Sequence, residues 1–111
     1  MSPEYTHIPE VTSLLPEITA DSIVSRTFLS DDRLKAILFG FAPGQELSEH
    51  TASKPAVLHF LSGEARLTLG EETFDAGGGT WVHMQPHLTH SIYAITPVVM
   101  LLLMLEGDPS P

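Results

Sequence analysis

The histidines of this sequence are the residues best suited to chemistry, and there are six of them: His7, His50, His59, His83, His87 and His90. Neutral imidazole is the commonest protein ligand for zinc, iron, copper and nickel, and it also serves as a general acid or base. The chain has no cysteine, which excludes thiolate metal sites, disulfides and cysteine nucleophiles. The chemistry open to this chain therefore depends on which histidines share a pocket.

Two of these histidines stand beside segments that resemble β-strands. His50 lies six residues after the turn residue Gly44 and precedes an apolar segment, whereas His90 follows the loop 85–89 and opens another. Ligand pockets often form where strands enter the mouth of a barrel. The positions of His50 and His90 predict that both imidazoles lie at one such pocket.

The elements that must position these residues are short apolar segments separated by turn residues, a pattern that predicts about eight β-strands. The predicted strands are 23–29, 34–41, 56–61, 65–69, 73–74, 80–84, 91–95 and 98–105. Pro and Gly interrupt every window long enough for a helix of more than about three turns. Because 111 residues suffice for a single hydrophobic core, we expect one all-β barrel domain.

The spacing of glycine and histidine resembles the first sequence motif of the cupins, a family of small double-stranded β-helix, or jelly-roll, barrels. That motif runs Gly, five residues, His, one residue, His, three or four residues, Glu, six residues, Gly. Here Gly44, His50 and Gly63 are in register with it. The resemblance covers residues 34–105 and implies a cupin-like barrel.

The second cupin motif runs Gly, five residues, Pro, one residue, Gly, two residues, His. Gly79 and His90 have this spacing, while Gln85 and His87 occupy the Pro and Gly positions. Each motif alone is a weak signal. Both together, in order and with the appropriate strands between them, favour the cupin fold.

Half of the metal ligands that the resemblance implies are absent. Metal-binding cupins use three His and one Glu, but Ala52 stands at the second His position and Ala56 at the Glu position. Only His50 and His90 remain as metal ligands. A divalent metal such as Zn, Ni, Fe or Mn would then be held weakly, with water or substrate completing its coordination.

Strand alternation divides the other candidate side chains into two sets. Those predicted to point inward and to line a pocket with His50 and His90 are Leu58, Phe60, Val82 and Met84. Those predicted to point outward are His59, Trp81 and His83. His87 belongs to the predicted pocket mouth. Three side chains are candidates for a third metal ligand: Glu46, Glu49 and His87.

Charge and hydropathy restrict the partners of this chain. Asp and Glu outnumber Lys and Arg by 14 to 5, and the formal net charge of −9 predicts repulsion of nucleic acids and anionic membranes. The N-terminus has no basic segment followed by an apolar run, and the longest apolar segment, 98–105, is too short to span a bilayer. We therefore expect a cytoplasmic protein.

The prolines near the N-terminus predict an extended arm over residues 1–20, followed by a barrel domain over 21–106 and a tail over 107–111. The predicted strand 98–105 is apolar on both faces. Its outer stripe needs a cover, which either the arm or a second chain would supply. We expect a homodimer.

Three functions remain open from the sequence. The favoured one is binding of a small molecule in a pocket marked by His50 and His90. The second is an enzyme of the oxygenase, isomerase or lyase type, in which the two histidines hold a metal or act as acid and base. The third is a structural barrel that dimerises and binds no ligand.

Overall fold

The computed structural model describes residues 4–105, which form nine β-strands in two antiparallel sheets and confirm the all-β prediction. The strands are β1 (Ile23–Ser30), β2 (Leu34–Phe41), β3 (Glu46–His50), β4 (Ala56–Ser62), β5 (Ala65–Leu69), β6 (Glu72–Ala76), β7 (Trp81–Met84), β8 (His90–Ala94) and β9 (Val98–Leu105). The five-stranded sheet has the order β1-β2-β9-β4-β7, and the four-stranded sheet has the order β3-β8-β5-β6. One turn of 3-10 helix, Val11–Leu14, precedes them.

Eight of the nine strands lie within one or two residues of their predicted bounds. The strand that the sequence pattern misses is β3, which reads Glu-Leu-Ser-Glu-His and has a single apolar residue, Leu47. It is an edge strand, paired only with β8, so little apolar surface is required of it. The predicted tail 107–111 lies outside the described residues. Between residues 4 and 105, no helix is long and apolar enough to cross a membrane.

The hydrophobic core lies between the two sheets, where the inward-facing side chains of both meet. The largest fully buried side chains are Phe41, Phe60, Leu38, Leu58, Leu67, Ile92, Met100 and Val98. All but Leu38 belong to one contiguous cluster. Burial of each such side chain stabilises the folded state by about 1.5–3 kcal/mol. The cluster therefore fixes the positions of the strand ends that carry the histidines.

The glycines of the cupin-like motifs are required by the backbone. Gly63 has a φ of 90°, and a Cβ there would collide with the carbonyl oxygen of Pro97. Gly44 and Gly79 also have positive φ values, 82° and 97°. L-residues rarely adopt this conformation, whereas glycine does so readily. The match between these positions and the motif therefore reflects turn geometry.

The N-terminal segment crosses the outer face of the five-stranded sheet. A Cβ built on Gly40 of β2 would lie 2.7 Å from side-chain atoms of both Leu15 and Ile18. The guanidinium of Arg26 in β1 donates a long hydrogen bond, 3.5 Å, to the carbonyl oxygen of Leu14. Because Gly40 pairs with Val99 of β9, this segment covers one end of the apolar outer stripe.

Candidate functional site

His50 and His90 face each other across two neighbouring strands. His50 ends β3, His90 begins β8, and the two residues are paired in the antiparallel ladder. Their ring centroids are 4.2 Å apart, with the ring planes inclined by 59°. The structure thus brings together the two histidines that the motif spacing selects.

A β-bulge places His50 on the same side of the sheet as His90. Leu47 pairs with Ile92 and His50 pairs with His90, so an advance of three residues on β3 matches two residues on β8. With regular alternation His50 would face away from the side that Leu47 occupies. The extra residue reverses this direction and turns the imidazole inward.

Each imidazole is oriented by a carbonyl group of its own chain segment. The Nδ1 atom of His50 lies 2.8 Å from the carbonyl oxygen of Ser48, and that of His90 lies 2.9 Å from the carbonyl oxygen of Leu88. A carbonyl oxygen only accepts hydrogen bonds, so both Nδ1 atoms carry a proton, and Nε2 keeps its lone pair in the neutral ring. Within residues 4–105, neither Nε2 has a hydrogen-bond partner. Two acceptors are therefore available to a ligand.

The two histidines differ in their exposure. His90 is 6% exposed, whereas His50 is exposed at the edge of the sheet. Burial lowers the pKa of His90 below its ordinary value, the hydrogen bond to Leu88 opposes this shift, and a positive charge on His50 would add to it. Two positive charges at this separation repel each other. At neutral pH the pair therefore favours a state in which His90 is uncharged.

The four apolar side chains predicted to line the pocket belong to the inner face of the five-stranded sheet. Leu58, Phe60 and Met84 are buried, while Val82 is half-buried and packs against the same core. They lie at different distances from the histidines. Met84 pairs with Ala56, and Phe60 is four residues, about 13 Å, further along β4. Met84 precedes the loop that leads to His90, so Phe60 lies furthest from the histidines.

His87 occupies the glycine position of the second motif and adopts the backbone conformation of a glycine, with a φ of 70°. Its backbone N–H donates to the carbonyl oxygen of Ala52 at 2.7 Å, which joins the two loops beside the histidine pair. Its side chain is exposed. It is the backbone of His87, and not its imidazole, that makes this contact between the two loops.

The remaining aromatic candidates point away from the pair, as strand alternation predicts. His59 is half-buried and His83 is exposed, both on the outer face of the five-stranded sheet. Trp81 lies beside His59 in the ladder and is 60% exposed. His7 is exposed in the N-terminal segment. None of these residues contributes to the His50–His90 site.

The residues at this site do not fit a tightly held metal. Between residues 4 and 105, the chain contains no group of three His, Cys, Asp or Glu side chains that could hold a metal ion. Catalytic zinc sites take three protein ligands and structural sites take four. Glu46, Glu49 and His87, the candidates for a third ligand, are exposed and belong to no such group among the described residues, so that a third ligand comes from one of them stays a prediction.

A concavity lies at the end of the four-stranded sheet opposite the histidine pair. Its volume is about 440 Å³, and its walls are Glu64, Ala65, Asp75, Ala76, Gly77 and Ile95. Ala65 is four residues, about 13 Å, from Leu69, the β5 residue that pairs with His90. This concavity is therefore separate from the histidine pair.

The fold and the paired histidines define a small cupin barrel. Residues 37–109 match the family model described as the AraC-like ligand binding domain. The chain belongs to this family and is a cupin-type ligand-binding domain.

Solved structures share this fold along nearly the whole chain. A conserved protein of unknown function from Streptococcus pyogenes is 27% identical, with a TM-score of 0.81 over 96% of this chain and 92% of that chain. A cupin superfamily protein from Desulfitobacterium hafniense is 24% identical, with a TM-score of 0.81 over 95% and 94%. No curated protein sequence matches this chain significantly.

A more distant match is an enzyme. A mutant of salicylate 1,2-dioxygenase from Pseudoaminobacter salicylatoxidans is 14% identical, with a TM-score of 0.72, and the match covers 80% of this chain but 28% of the dioxygenase chain. At this identity the similarity extends to the fold alone.

Proposed function

We propose that this barrel binds a small organic molecule at His50 and His90, without a resident metal, and that the molecule presents hydrogen-bond donors to the two imidazoles. The observation that carries the proposal is the pairing itself. Both rings meet at 4.2 Å with Nδ1 committed to a backbone carbonyl group and Nε2 unpartnered in the described chain. A recognition site with two acceptors favours hydroxyl, amine or amide groups.

The charge around the site disfavours anionic ligands. A carboxylate would need a protonated imidazole as its donor, but burial lowers the pKa of His90 and so stabilises the neutral ring. Glu46 and Glu49 lie on the same strand as His50, and the whole chain carries a formal charge of −9. We therefore expect the ligand to be neutral or cationic.

The two alanines at the other motif positions shape the site. Ala56 is 3% exposed and pairs with Met84, while Ala52 lies in the loop that accepts the hydrogen bond from His87. The methyl groups of these alanines present an apolar surface at the positions where His and Glu side chains would otherwise fill part of the site. An apolar part of the ligand would pack against Ala56 and Met84 while its polar part bonds to the imidazoles.

Thermal denaturation of chelator-free protein with a panel of neutral polyols, amines and carboxylates tests this proposal. A ligand at 100 times its Kd stabilises the folded state by about 2.7 kcal/mol, which raises Tm by several degrees. We expect a neutral or cationic donor compound to raise the Tm of wild type and not of His50→Ala. The matched control is His59→Ala, a histidine on the opposite sheet and the outer face, which should keep the response.

Two results would overturn the proposal. The first is a panel in which only carboxylates stabilise the protein. The second is a stoichiometric metal, found by elemental analysis of untreated protein, that disappears from both His50→Ala and His90→Gln.

A further inference from the structure

The concavity at the end of the four-stranded sheet lies beside a glycine that the backbone does not require. In the run Gly77-Gly78-Gly79, Gly79 has a φ of 97°, and a Cβ on Gly78 would lie 3.2 Å from the carbonyl oxygen of Leu61. Gly77 has no positive φ, and a Cβ there would meet nothing nearer than 3.8 Å. A side chain at this position would continue the alternation of β6 and point to the same side as Asp75, which also lines the concavity. We therefore call it the Gly77 concavity, and its walls are Glu64, Ala65, Asp75, Ala76, Gly77 and Ile95.

The Gly77 concavity has the size of a ligand pocket and part of the apolar surface that such pockets have. Its volume of about 440 Å³ lies within the range of roughly 300–1,000 Å³ that small-molecule pockets occupy. Its floor is formed by Ala65 and Ala76, which pair in the ladder and are nearly fully buried. Its wall includes Ile95, whose side chain is 42% exposed. A ligand with a short apolar body would remove part of this isoleucine from water.

The charge of the walls selects the sign of the ligand. Glu64 and Asp75 are carboxylates, and none of the other four wall residues is charged. Arg66 lies opposite Asp75 in the ladder and offsets part of its charge, which leaves one negative charge in excess at this end of the sheet. The formal net charge of −9 over the whole chain acts in the same direction. Both the local and the overall charge therefore favour a cation.

Hydrogen bonds fix the backbone on both sides of the concavity. The N–H of Glu64 donates to the hydroxyl of Thr96 at 2.9 Å, and its carbonyl oxygen accepts from the N–H of Ile95 at 2.9 Å. On the other side, the N–H of Gly77 donates to the hydroxyl of Thr80 at 3.0 Å. A site held in this way loses little backbone freedom when a ligand enters.

We propose that the Gly77 concavity binds a small organic cation. Its ammonium group lies between the carboxylates of Glu64 and Asp75, and its apolar body packs against Ile95. The missing side chain of Gly77 leaves the space that the ligand occupies. Because the histidine pair lies at the opposite end of the sheet, this site binds its ligand independently of the one proposed above.

An NMR titration of isotope-labelled protein with butylammonium chloride at constant ionic strength tests this proposal. We expect the backbone amide signals of Gly77 and Ile95 to shift and to reach saturation. Butan-1-ol should bind more weakly, and sodium butyrate should leave these signals unchanged. The amide signal of His90 reports separately on the histidine pair. Butylammonium shifts confined to the surroundings of His90 would overturn this proposal and leave the histidine site standing.

Two variants separate the shape of the concavity from its charge. Gly77→Leu fills the space and should abolish the saturable shift, whereas Glu64→Gln removes one exposed carboxylate and should weaken binding by about twofold to fivefold. The matched control is Glu71→Gln, which removes an exposed carboxylate from the turn between β5 and β6, and it should bind as wild type does. Urea unfolding checks that all three variants fold.

Three results would overturn the proposal. The first is a wild-type protein in which butylammonium causes no saturable shift of the Gly77 and Ile95 signals. The second is unchanged butylammonium binding in a folded Gly77→Leu variant. The third is an equal loss of affinity in Glu64→Gln and Glu71→Gln, which would assign the effect to the overall charge of the chain. If Gly77→Leu does not fold, the comparison of the two glutamine variants still decides the question.

Discussion

The outer faces of the two sheets differ in polarity, as expected if only one of them is fully exposed to solvent. Across the five-stranded sheet, one row of paired residues reads Arg26, Leu38, Leu101, His59 and Trp81. Across the four-stranded sheet, the corresponding row reads Glu46, Tyr93, Arg66 and Asp75, all exposed. The second row places an arginine beside a carboxylate, as on a solvated surface, whereas the first is apolar at its centre.

This difference shows where the barrel depends on an additional layer. A half-solvated antiparallel sheet needs apolar residues on one face only. The four-stranded sheet follows that rule. In the five-stranded sheet the outer face is also apolar at its centre, and Leu38 is fully buried although it faces away from the core between the sheets. The N-terminal segment is therefore part of the folded structure and not an appendage to it.

The largest expected effect comes from truncating Leu38, the fully buried side chain on the outer face of β2. Leu38→Ala removes a side chain with no exposed surface and should lower the free energy of unfolding by about 2–5 kcal/mol. The matched substitution on the other face, Arg66→Ala, should change it by no more than about 0.5 kcal/mol. Urea unfolding of both variants at one protein concentration measures the difference. Similar losses in both would mean that the two outer faces are equivalent.

Much of this architecture follows from the sequence because it depends on local patterns. The strand 98–105 is apolar throughout and is recovered with its observed bounds, and the alternation in 81–84 places His83 outward as observed. Motif spacing also selects His50 and His90, which the fold then pairs. These features need only side-chain periodicity and turn glycines.

The features missed by sequence reasoning depend on pairing between distant segments. β3 has no apolar pattern of its own and forms because it pairs with the edge of β8. The bulge that turns His50 toward His90 exists only in the register of these two strands.

A smaller effect is expected where the N-terminal segment touches the sheet. Gly40→Ala would place a Cβ within 2.8 Å of three side-chain atoms of Leu15 and Ile18, so the segment must shift. Overpacking of this kind destabilises a protein by about 1–3 kcal/mol. Gly77→Ala is the control, because its Cβ would meet nothing nearer than 3.8 Å. If both variants unfold at the same urea concentration, the segment does not pack on this face.

The smallest effect concerns the inner faces, where His90 is the one buried polar side chain among the residues described. Its pKa is lowered by burial, so the unfolded chain binds this proton first as the pH falls. The contribution of His90 to stability is complete above the ordinary histidine pKa of about 6.5 and is lost progressively below it, down to the folded-state pKa. One such group changes the free energy of unfolding by at most about 1.4 kcal/mol per pH unit. We expect His90→Gln to have a shallower decline than wild type as the pH falls below about 6.5. Equal slopes in the two proteins would show that His90 is not held in its neutral form, and the acceptor role given to its Nε2 atom would fail with it.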